Sequence, residues 1–254
     1  MIRKQFVRSV SRGLVCGAGL AAGAYAAYAG RTWLRYGHVR RDVDDDQDPL
    51  LDRFMPTYEV VERHNIRIKA PADIAFAAAC NVDFQQSALV RAIFKGRELV
   101  LGAAPDMSAR PRGLLELTKS FGWGVLAEVP GREVVVGAVT QPWKANVVFR
   151  TVPPDTFAAF NEPDCVKIVW TLRADPIDGG ESVARTETRV MTTSVAARSK
   201  FRRYWSLLSP GIVIIRRVAL TLVRAQAERR ARLKVSASAD RFDLVSAGDL
   251  DPQC

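Results

Sequence analysis

Apolar side chains recur at helical spacing along a basic segment near the C-terminus, residues 194–234. The intervals between them alternate between four and three residues, which places them along one side of a helix. This seam consists of Phe201, Trp205, Leu208, Ile212, Ile215, Ala219, Leu222 and Gln226. The arginines between them, Arg216 and Arg217 included, fall mostly off the seam, so we expect them to meet solvent or an anionic partner. A helix with such a seam needs an apolar surface to lie on.

The seam is interrupted at Ser209-Pro210-Gly211. Proline inside a helix removes a backbone hydrogen bond and clashes with the preceding turn, unless a new helix starts there. We therefore expect a kink or a re-capped joint. The bend could let the helix follow a twisted sheet, or it could be a hinge that opens a cavity.

Runs of period two precede this helix and predict antiparallel strands. Residues 122–129 and 132–140 are joined by Pro130-Gly131, which is typical of a hairpin. Residues 166–172 alternate most regularly, and residues 182–192 follow after a glycine turn. We predict a further short strand at residues 156–160. Before these strands, the pattern predicts one strand at residues 61–69 and helices at residues 72–81 and 86–101.

The N-terminal part of the chain is organised differently. Residues 1–12 are basic, and residues 13–30 form an uncharged run rich in Ala and Gly. With the aromatic residues that follow, residues 13–36 are long enough to span a bilayer, so we predict a single-pass membrane anchor whose orientation stays open. A cleaved signal peptide ending at Ala27-Tyr28-Ala29 and a soluble helix are the alternatives.

Acidic segments flank the region that we expect to fold. Residues 37–57 contain a run of aspartates and few apolar residues, which predicts a solvated linker. The run lacks the glycine and the terminal glutamate of a calcium-binding loop. The folded domain is predicted at residues 58–234, and residues 235–254 are small, acidic and predicted to be a disordered tail.

Composition and charge exclude several classes of function. The 254 residues are 48% hydrophobic and 25% charged, which suffices for one sizeable core. The net charge of +10 is concentrated in the first and the last basic segments, which disfavours a uniformly basic nucleic-acid binder. Four cysteines without close spacing and two histidines predict no metal site, no disulfide framework and no cofactor.

The order of predicted elements is strand, two helices, several antiparallel strands and a long helix. This order resembles the START-like, or SRPBCC, superfamily of polyketide cyclases/dehydrases and lipid-transport proteins. The residues that carry the resemblance are Arg67-Ile68-Lys69-Ala70-Pro71-Ala72, Glu187-Thr188-Arg189-Val190 and Phe201-Arg202-Arg203-Tyr204-Trp205. It covers residues 58–233 and implies an α+β helix-grip fold, in which a curved antiparallel sheet and the C-terminal helix enclose an apolar cavity.

Large apolar side chains on the predicted strands and on the long helix could either fill a core or line such a cavity, and the sequence leaves both open. The residues we predict to contact a ligand are Trp123, Val135, Phe157, Ile168, Trp170, Leu172, Glu187, Phe201, Trp205 and Leu208. Glu187 shares one face of its strand with Arg185 and Arg189. That face is expected to be a solvent-facing charge ladder, or, if it points inward, the polar anchor of a ligand.

Three functions remain compatible with the sequence. The first is a membrane-anchored binding domain for a hydrophobic small molecule or lipid, with Arg224, Arg229, Arg230 and Arg232 against the membrane surface. The second is a cyclase or dehydratase that uses Glu187 or Glu116 as general acid/base. The third is an interaction module that uses its basic helix end. Base recognition by nucleic-acid stacking is not expected because no aromatic residue interleaves that run, and the oligomeric state stays open.

Overall fold

The computed structural model describes residues 2–36, 48–102, 111 and 113–248, and it describes side chains between Gly19 and Ala237 within those ranges. Its helices are α1 (Ile2–Arg35), α2 (Pro49–Asp52), α3 (Ala72–Asn81), α4 (Ala88–Leu101), α5 (Leu114–Ser120), α6 (Pro154–Phe157) and α7 (Val195–Gly248). Its strands are β1 (Val60–Ile68), β2 (Gly124–Val129), β3 (Glu133–Thr140), β4 (Phe149–Arg150), β5 (Val166–Pro176) and β6 (Ser182–Thr192). Short 3-10 helices cover Phe84–Gln86 and Asp178–Gly180.

The six strands form one antiparallel sheet in the order β1-β6-β5-β3-β2, with β4 beside β3. The first strand therefore pairs with the last, from Val60 opposite Val190 to Ile68 opposite Ser182. The predicted hairpin at Pro130-Gly131 is present as β2 and β3. Every ladder is antiparallel, so the period of two assigns alternate residues to two faces of the sheet.

One of these faces, called the inner face below, packs against α3 and α7. Its central cluster joins Trp170 and Leu172 of β5 and Val136 of β3 to Leu220 and Val223 of α7. A second cluster joins Val190 of the same face to residues of the first part of α7. An antiparallel sheet with a long C-terminal helix on one face is the helix-grip arrangement, and the predicted fold class is confirmed at this level.

The opposite face, called the outer face, is covered by α2 and α6. Leu51 of α2 and Phe157 of α6 are fully buried against Val135 and Val169 of the sheet. Residues 48–57 were predicted to belong to a solvated linker, but Leu51, Phe54 and Met55 are buried, so the folded part of the chain begins before Tyr58. The acidic composition of this stretch led to the linker prediction, although three of its apolar side chains belong to the core. The rest of the predicted linker, residues 37–47, lies outside the described residues.

The long helix α7 continues through Pro210. Beyond that residue, its apolar side chains belong to two different clusters. Leu220, Val223 and Ala227 face the sheet. Ile215, Ala219 and Leu222, which the sequence placed on the same seam as Phe201, instead pack against Phe84, Val90 and Leu117. α7 lies between the sheet and α4. Two adjacent faces of α7 are therefore buried, one against the sheet and one against the cluster that includes α4. α7 also extends into residues 235–248, within the predicted tail.

The described part of α1 packs against the first part of α7. The Tyr25 hydroxyl donates to the carbonyl oxygen of Leu207, and the guanidinium of Arg202 lies 4.2 Å from the centre of the Trp33 ring. In the part of the chain that the structure describes, the helix that is long and apolar enough to cross a membrane is α7, over Val195–Ala237. The N-terminal transmembrane helix predicted at residues 13–36 is thus not supported. Ala and Gly supply too little hydrophobicity there, and the side chains of residues 13–18 are not described.

One predicted strand is wrong. Residues 156–160 include the end of α6, whose first helical residue is Pro154 with a second proline at the cap. Proline at the start of a helix is favourable because the missing N–H would have no partner there. A strand of two residues, β4, was not predicted, because so short a run carries no period.

Candidate functional site

Six of the ten residues predicted to contact a ligand lie between the sheet and the helices. Trp170 and Leu172 belong to the central cluster of the inner face, and Trp123 packs beside them with its ring 6.4 Å from that of Trp170. Ile168, Phe201 and Trp205 lie together in the neighbouring cluster. Phe201 stacks on Trp205 at 5.8 Å between ring centres. Leu208 lies on α7 and is half-buried.

The structure does not bring Val135, Phe157 and Glu187 to this space. Val135 and Phe157 are buried on the outer face, and Glu187 accepts hydrogen bonds there from Arg63 and Arg189. These three residues were predicted to contact a ligand together with the inner-face residues. Val135 alternates with Val134 and Val136 in a strand that is buried on both faces, so its neighbours did not reveal its orientation.

Polar side chains also occur on the inner face, at its β1–β6 edge. They form what we call the inner polar patch, which consists of Glu62, His64, Thr186, Thr188 and Arg216. Glu62 pairs with Thr188 and His64 with Thr186 in the β1–β6 ladder, so these four residues make a two-by-two block. Arg216 of α7 reaches this block, with its Nη1 3.5 Å from Thr186 Oγ1.

The inner polar patch is incompletely hydrogen-bonded. His64 Nε2, Thr188 Oγ1 and Arg216 Nε are enclosed and have no hydrogen-bond partner among the described residues. His64 Nε2 lies 3.6 Å from Glu62 Oε2, which is beyond a good hydrogen bond. Buried polar groups are normally hydrogen-bonded, so three such atoms in one place indicate a site at which an additional group could bind.

Burial is the dominant influence on the charge of Arg216. It lowers the pKa of the guanidinium to about 10, and the nearby Glu62 carboxylate acts in the opposite direction. The group therefore remains cationic at neutral pH. The sequence did not single out Arg216, because α7 carries nine other arginines. Its one distinguishing feature is its spacing of four residues from both Ile212 and Leu220.

The outer face carries a second polar feature, a small pocket of about 70 Å³. Its lining is almost entirely charged or polar and includes Asp48, Arg63, Arg173, Asp175, Arg185 and Glu187. Asp175 pairs with Arg173 at 2.8 Å and with Arg185 at 3.3 Å. The charges in this pocket are already matched, and its volume suits a few water molecules rather than an organic ligand.

The charge ladder expected on β6 exists, but it is buried rather than solvent-facing. Glu187 and Arg189 are 5% and 2% exposed, because α2 and the residues after it cover them. Arg189 donates to the carboxylates of Glu187 and Asp52 and to the carbonyl oxygen of Met55. This ladder therefore attaches the α2 segment to the sheet.

One carboxyl group on the outer face is strongly perturbed. Burial, and after it the adjacent carboxyl of Asp48, raises the pKa of Glu133 to about 7. Glu116, a candidate general acid/base, instead lies on the surface and pairs with Lys119 at 3.0 Å. Neither Glu116 nor Glu187 reaches the inner face. Among the described residues, no group of three or more His, Cys, Asp or Glu side chains could hold a metal ion.

No family model matches the sequence, and no curated protein sequence matches it significantly. Several solved structures are similar in outline. A hypothetical protein, jhp0584, from Helicobacter pylori aligns over 74% of this chain and 99% of its own, at 5% identity and a TM-score of 0.37. The Zhui aromatase/cyclase from Streptomyces sp. R1128 aligns over 67% of this chain and 94% of its own, at 14% identity and a TM-score of 0.28.

A third similar structure is CalU16 from Micromonospora echinospora, which aligns over 66% of this chain and 86% of its own, at 16% identity and a TM-score of 0.24. Likenesses of this size do not transfer a ligand or an activity to this chain.

Proposed function

We propose that this protein binds a hydrophobic small molecule or lipid between the inner face of the sheet and α7. The proposal rests on one observation. The inner face combines an apolar, aromatic surface, called the wall here, with a polar patch in which several atoms lack hydrogen-bond partners among the described residues. Trp170, Trp205 and Ile168 belong to the wall, and the inner polar patch lies at its edge. Ligand sites of proteins are mostly apolar with a few polar groups that fix orientation.

Residual exposure within this layer supports the same proposal. Ile168 lies on the inner face of the central strand β5, and Ile212 opposes it from α7, yet both retain partial exposure. On the outer face, Val169 of the same strand is completely buried. Ile168 and Ile212 are therefore less completely covered by protein than Val169 is, as expected where a ligand adds further contacts.

α7 supplies a natural point for ligand entry. Pro210 cannot donate a backbone hydrogen bond, so the carbonyl oxygen of Ser206 lacks its helical partner. The Ser206 hydroxyl bonds the carbonyl oxygen of Arg202 at 2.7 Å, an interaction that often accompanies helix bending. A small movement of α7 at Pro210 would widen the space next to Ile212.

We also propose that the protein acts at a membrane surface. Leu89, Leu99 and Val100 of α4 are at least half exposed, and apolar side chains in such positions favour contact with lipid. The arginines predicted to face the membrane, Arg224, Arg229, Arg230 and Arg232, are all exposed on α7.

The decisive experiment is ligand capture with a matched pair of helix variants. The full chain is exposed to a lipid extract, re-purified, and its bound molecules are identified by mass spectrometry. We expect Ile212→Trp, which places a larger side chain opposite Ile168, to lower the recovered ligand about tenfold. Leu207→Trp is the control, because Leu207 is 53% exposed on the same helix. Equal recovery from both variants, or no ligand from the wild-type protein, would contradict the proposal.

A further inference from the structure

We infer that Arg216 receives an oxyanion group, a carboxylate or a phosphate, of the hydrophobic ligand. This inference rests on the proposed function and adds to it the chemical class of the ligand. An arginine guanidinium carries five N–H donors in a planar fork that matches such groups with two parallel hydrogen bonds. The inference follows from the hydrogen bonds that Arg216 does not make.

Arg216 has far more donors than partners. Among the described residues, its one hydrogen bond is the long contact of 3.5 Å from Nη1 to Thr186 Oγ1, and its Nε is enclosed without a partner there. By contrast, Arg189 on the outer face donates to two carboxylates and a carbonyl oxygen. Arg189 projects from the outer face of the sheet and Arg216 projects from α7 toward the inner face, and of these two arginines only Arg216 lacks acceptors.

Further unsatisfied groups lie on the strands that Arg216 faces. Thr188 Oγ1 and His64 Nε2 are enclosed and have no hydrogen-bond partner in the described part of the chain. In the β1–β6 ladder, both residues are adjacent to Thr186, which Arg216 contacts. A hydroxyl and an imidazole N–H can each donate to an oxygen held by the guanidinium. The three groups together can supply donors to more than one oxygen atom.

The carboxylate of Glu62 is the negative charge near Arg216 with which a bound anion has to compete. Its carboxylate influences Arg216 through space, but no ion pair within 4.0 Å joins the two. The side chain of Glu62 is 27% exposed, so it can turn toward water when another anion occupies the site. Glu62 therefore competes with the ligand, and its removal is expected to strengthen binding of an anion rather than weaken it.

The test compares three probes that share one hydrocarbon chain: palmitic acid, hexadecyl phosphate and methyl palmitate. Binding to the full-length protein is followed by the fluorescence of the tryptophans, of which Trp170 and Trp205 line the space. We expect at least one anionic probe to bind about tenfold more tightly than the neutral ester. Preference for the acid or for the phosphate then identifies which oxyanion the site accepts.

The variants separate this inference from the proposed function. Arg216→Gln is expected to abolish the preference for anions and to leave the affinity for methyl palmitate unchanged. Arg217→Gln, at an exposed neighbouring position, is the matched control and should bind all probes as the wild type does. Glu62→Gln, which removes the competing negative charge, should bind the anionic probe several times more tightly.

The outcomes differ for the two claims. Equal affinity for all three probes, unchanged in Arg216→Gln and in Glu62→Gln, would overturn the role of Arg216 and leave the hydrophobic site in place. Failure of all probes to bind the wild-type protein would overturn both. Should Arg216→Gln unfold, the response of Glu62→Gln to the anionic probe decides the question.

Discussion

At the scale of single residues, buried charges distinguish this protein. Among the residues whose side chains the structure describes, Arg189 is the largest that is fully buried. Besides its hydrogen bonds, its guanidinium lies 4.7 Å from the centre of the Tyr58 ring. A buried charge that loses its partners is costly, whereas a buried charge that keeps all of them fixes the geometry of the elements around it.

Replacing Arg189 by alanine should lower the free energy of unfolding by about 3 to 5 kcal/mol. The substitution leaves Asp52 without its cation, removes a bond to Met55 and opens a cavity below α2. Chemical denaturation followed by circular dichroism measures the change. Arg67→Ala is the control, because Arg67 forms an exposed ion pair with Glu181 that is worth less than about 1 kcal/mol. Similar losses in both variants would refute a special role for Arg189.

Glu133 makes stability depend on pH. Its folded-state pKa of about 7 lies above the ordinary value of 4.5, so the folded protein binds the proton more tightly than the unfolded chain does. This contribution to stability is fully present below the unfolded pKa and is lost as the pH rises through the folded pKa. Between these two values the stability of the wild-type protein should fall as the pH rises.

Glu133→Gln should remove this dependence, because an amide stays neutral and retains a hydrogen-bonding group for Thr171. At pH 8 we expect the variant to be more stable than the wild type by about 1 to 3 kcal/mol, and at pH 4 the difference should vanish. Thermal unfolding across this pH range measures it. Glu162→Gln, at an exposed ion pair, serves as the control. A variant that is equally stabilised at both pH values would argue against the titration of Glu133.

At the scale of elements, the junction of α1, β6 and α7 is held by one carboxylate. Glu59 accepts hydrogen bonds from the Tyr36 hydroxyl at 2.7 Å, from Thr192 at 2.9 Å and from Arg198 at 2.8 Å. Tyr36 also packs against Phe201, with ring centres 6.0 Å apart. These contacts attach the end of α1 to the folded domain.

Tyr36→Phe should destabilise the protein by about 2 kcal/mol, because a hydrogen bond to a buried carboxylate is lost while the ring packing is kept. Hydrogen exchange of α1 amides should accelerate together with this loss. Tyr28→Phe is the matched control, since the Tyr28 hydroxyl is 3.5 Å from Ser209 Oγ in a partly buried contact. Unchanged exchange in Tyr36→Phe would show that α1 is attached by other contacts.

The sequence predicts elements well where a period extends over several turns or pairs. The β2–β3 hairpin, the helix α4 and the strand β5 follow directly from spacing and turn residues. Beyond Ile212, the sequence does not show which side of α7 faces the sheet. Ile215 packs against the cluster that contains Val90 of α4, whereas its neighbour Arg216 faces the sheet, and the position of α4 cannot be derived from spacing. The sequence also does not show which face of a strand points toward α7 when both faces are apolar. Val136 lies on the inner face and Val135 on the outer face of the same strand.

At the scale of the whole molecule, the sheet separates two layers of different character. Most buried charges of the outer layer, such as Glu187 and Arg189, form ion pairs, whereas the inner layer contains half-buried apolar side chains and polar groups without hydrogen-bond partners among the described residues. The small polar pocket is lined mainly by residues of the outer face, and it shares His64 and Thr186 with the inner polar patch. Substitutions in the outer layer should alter stability, and those in the inner layer should alter binding.

Attraction to an anionic membrane should depend on the end of α7. Replacing Arg229, Arg230 and Arg232 together by glutamine should weaken binding to phosphatidylserine vesicles by about 1 kcal/mol per residue at low salt. Co-sedimentation with vesicles measures the change. Arg67 and Arg132, exposed at strand ends, provide a control pair for substitution. Equal losses in both sets, or no loss in the triple variant, would show that the helix end does not face the bilayer.

The pairing of β1 with β6 has a consequence for the synthesis of the protein. Val60 acquires its partner Val190 only after nearly the entire sheet has left the ribosome, and α1 acquires its contacts with α7 later still. The native structure therefore cannot assemble progressively from the N-terminus, because its earliest elements wait for its latest ones. Pairing between such distant segments slows folding and exposes apolar surface for longer. A nascent chain of this protein should depend on chaperones until translation ends.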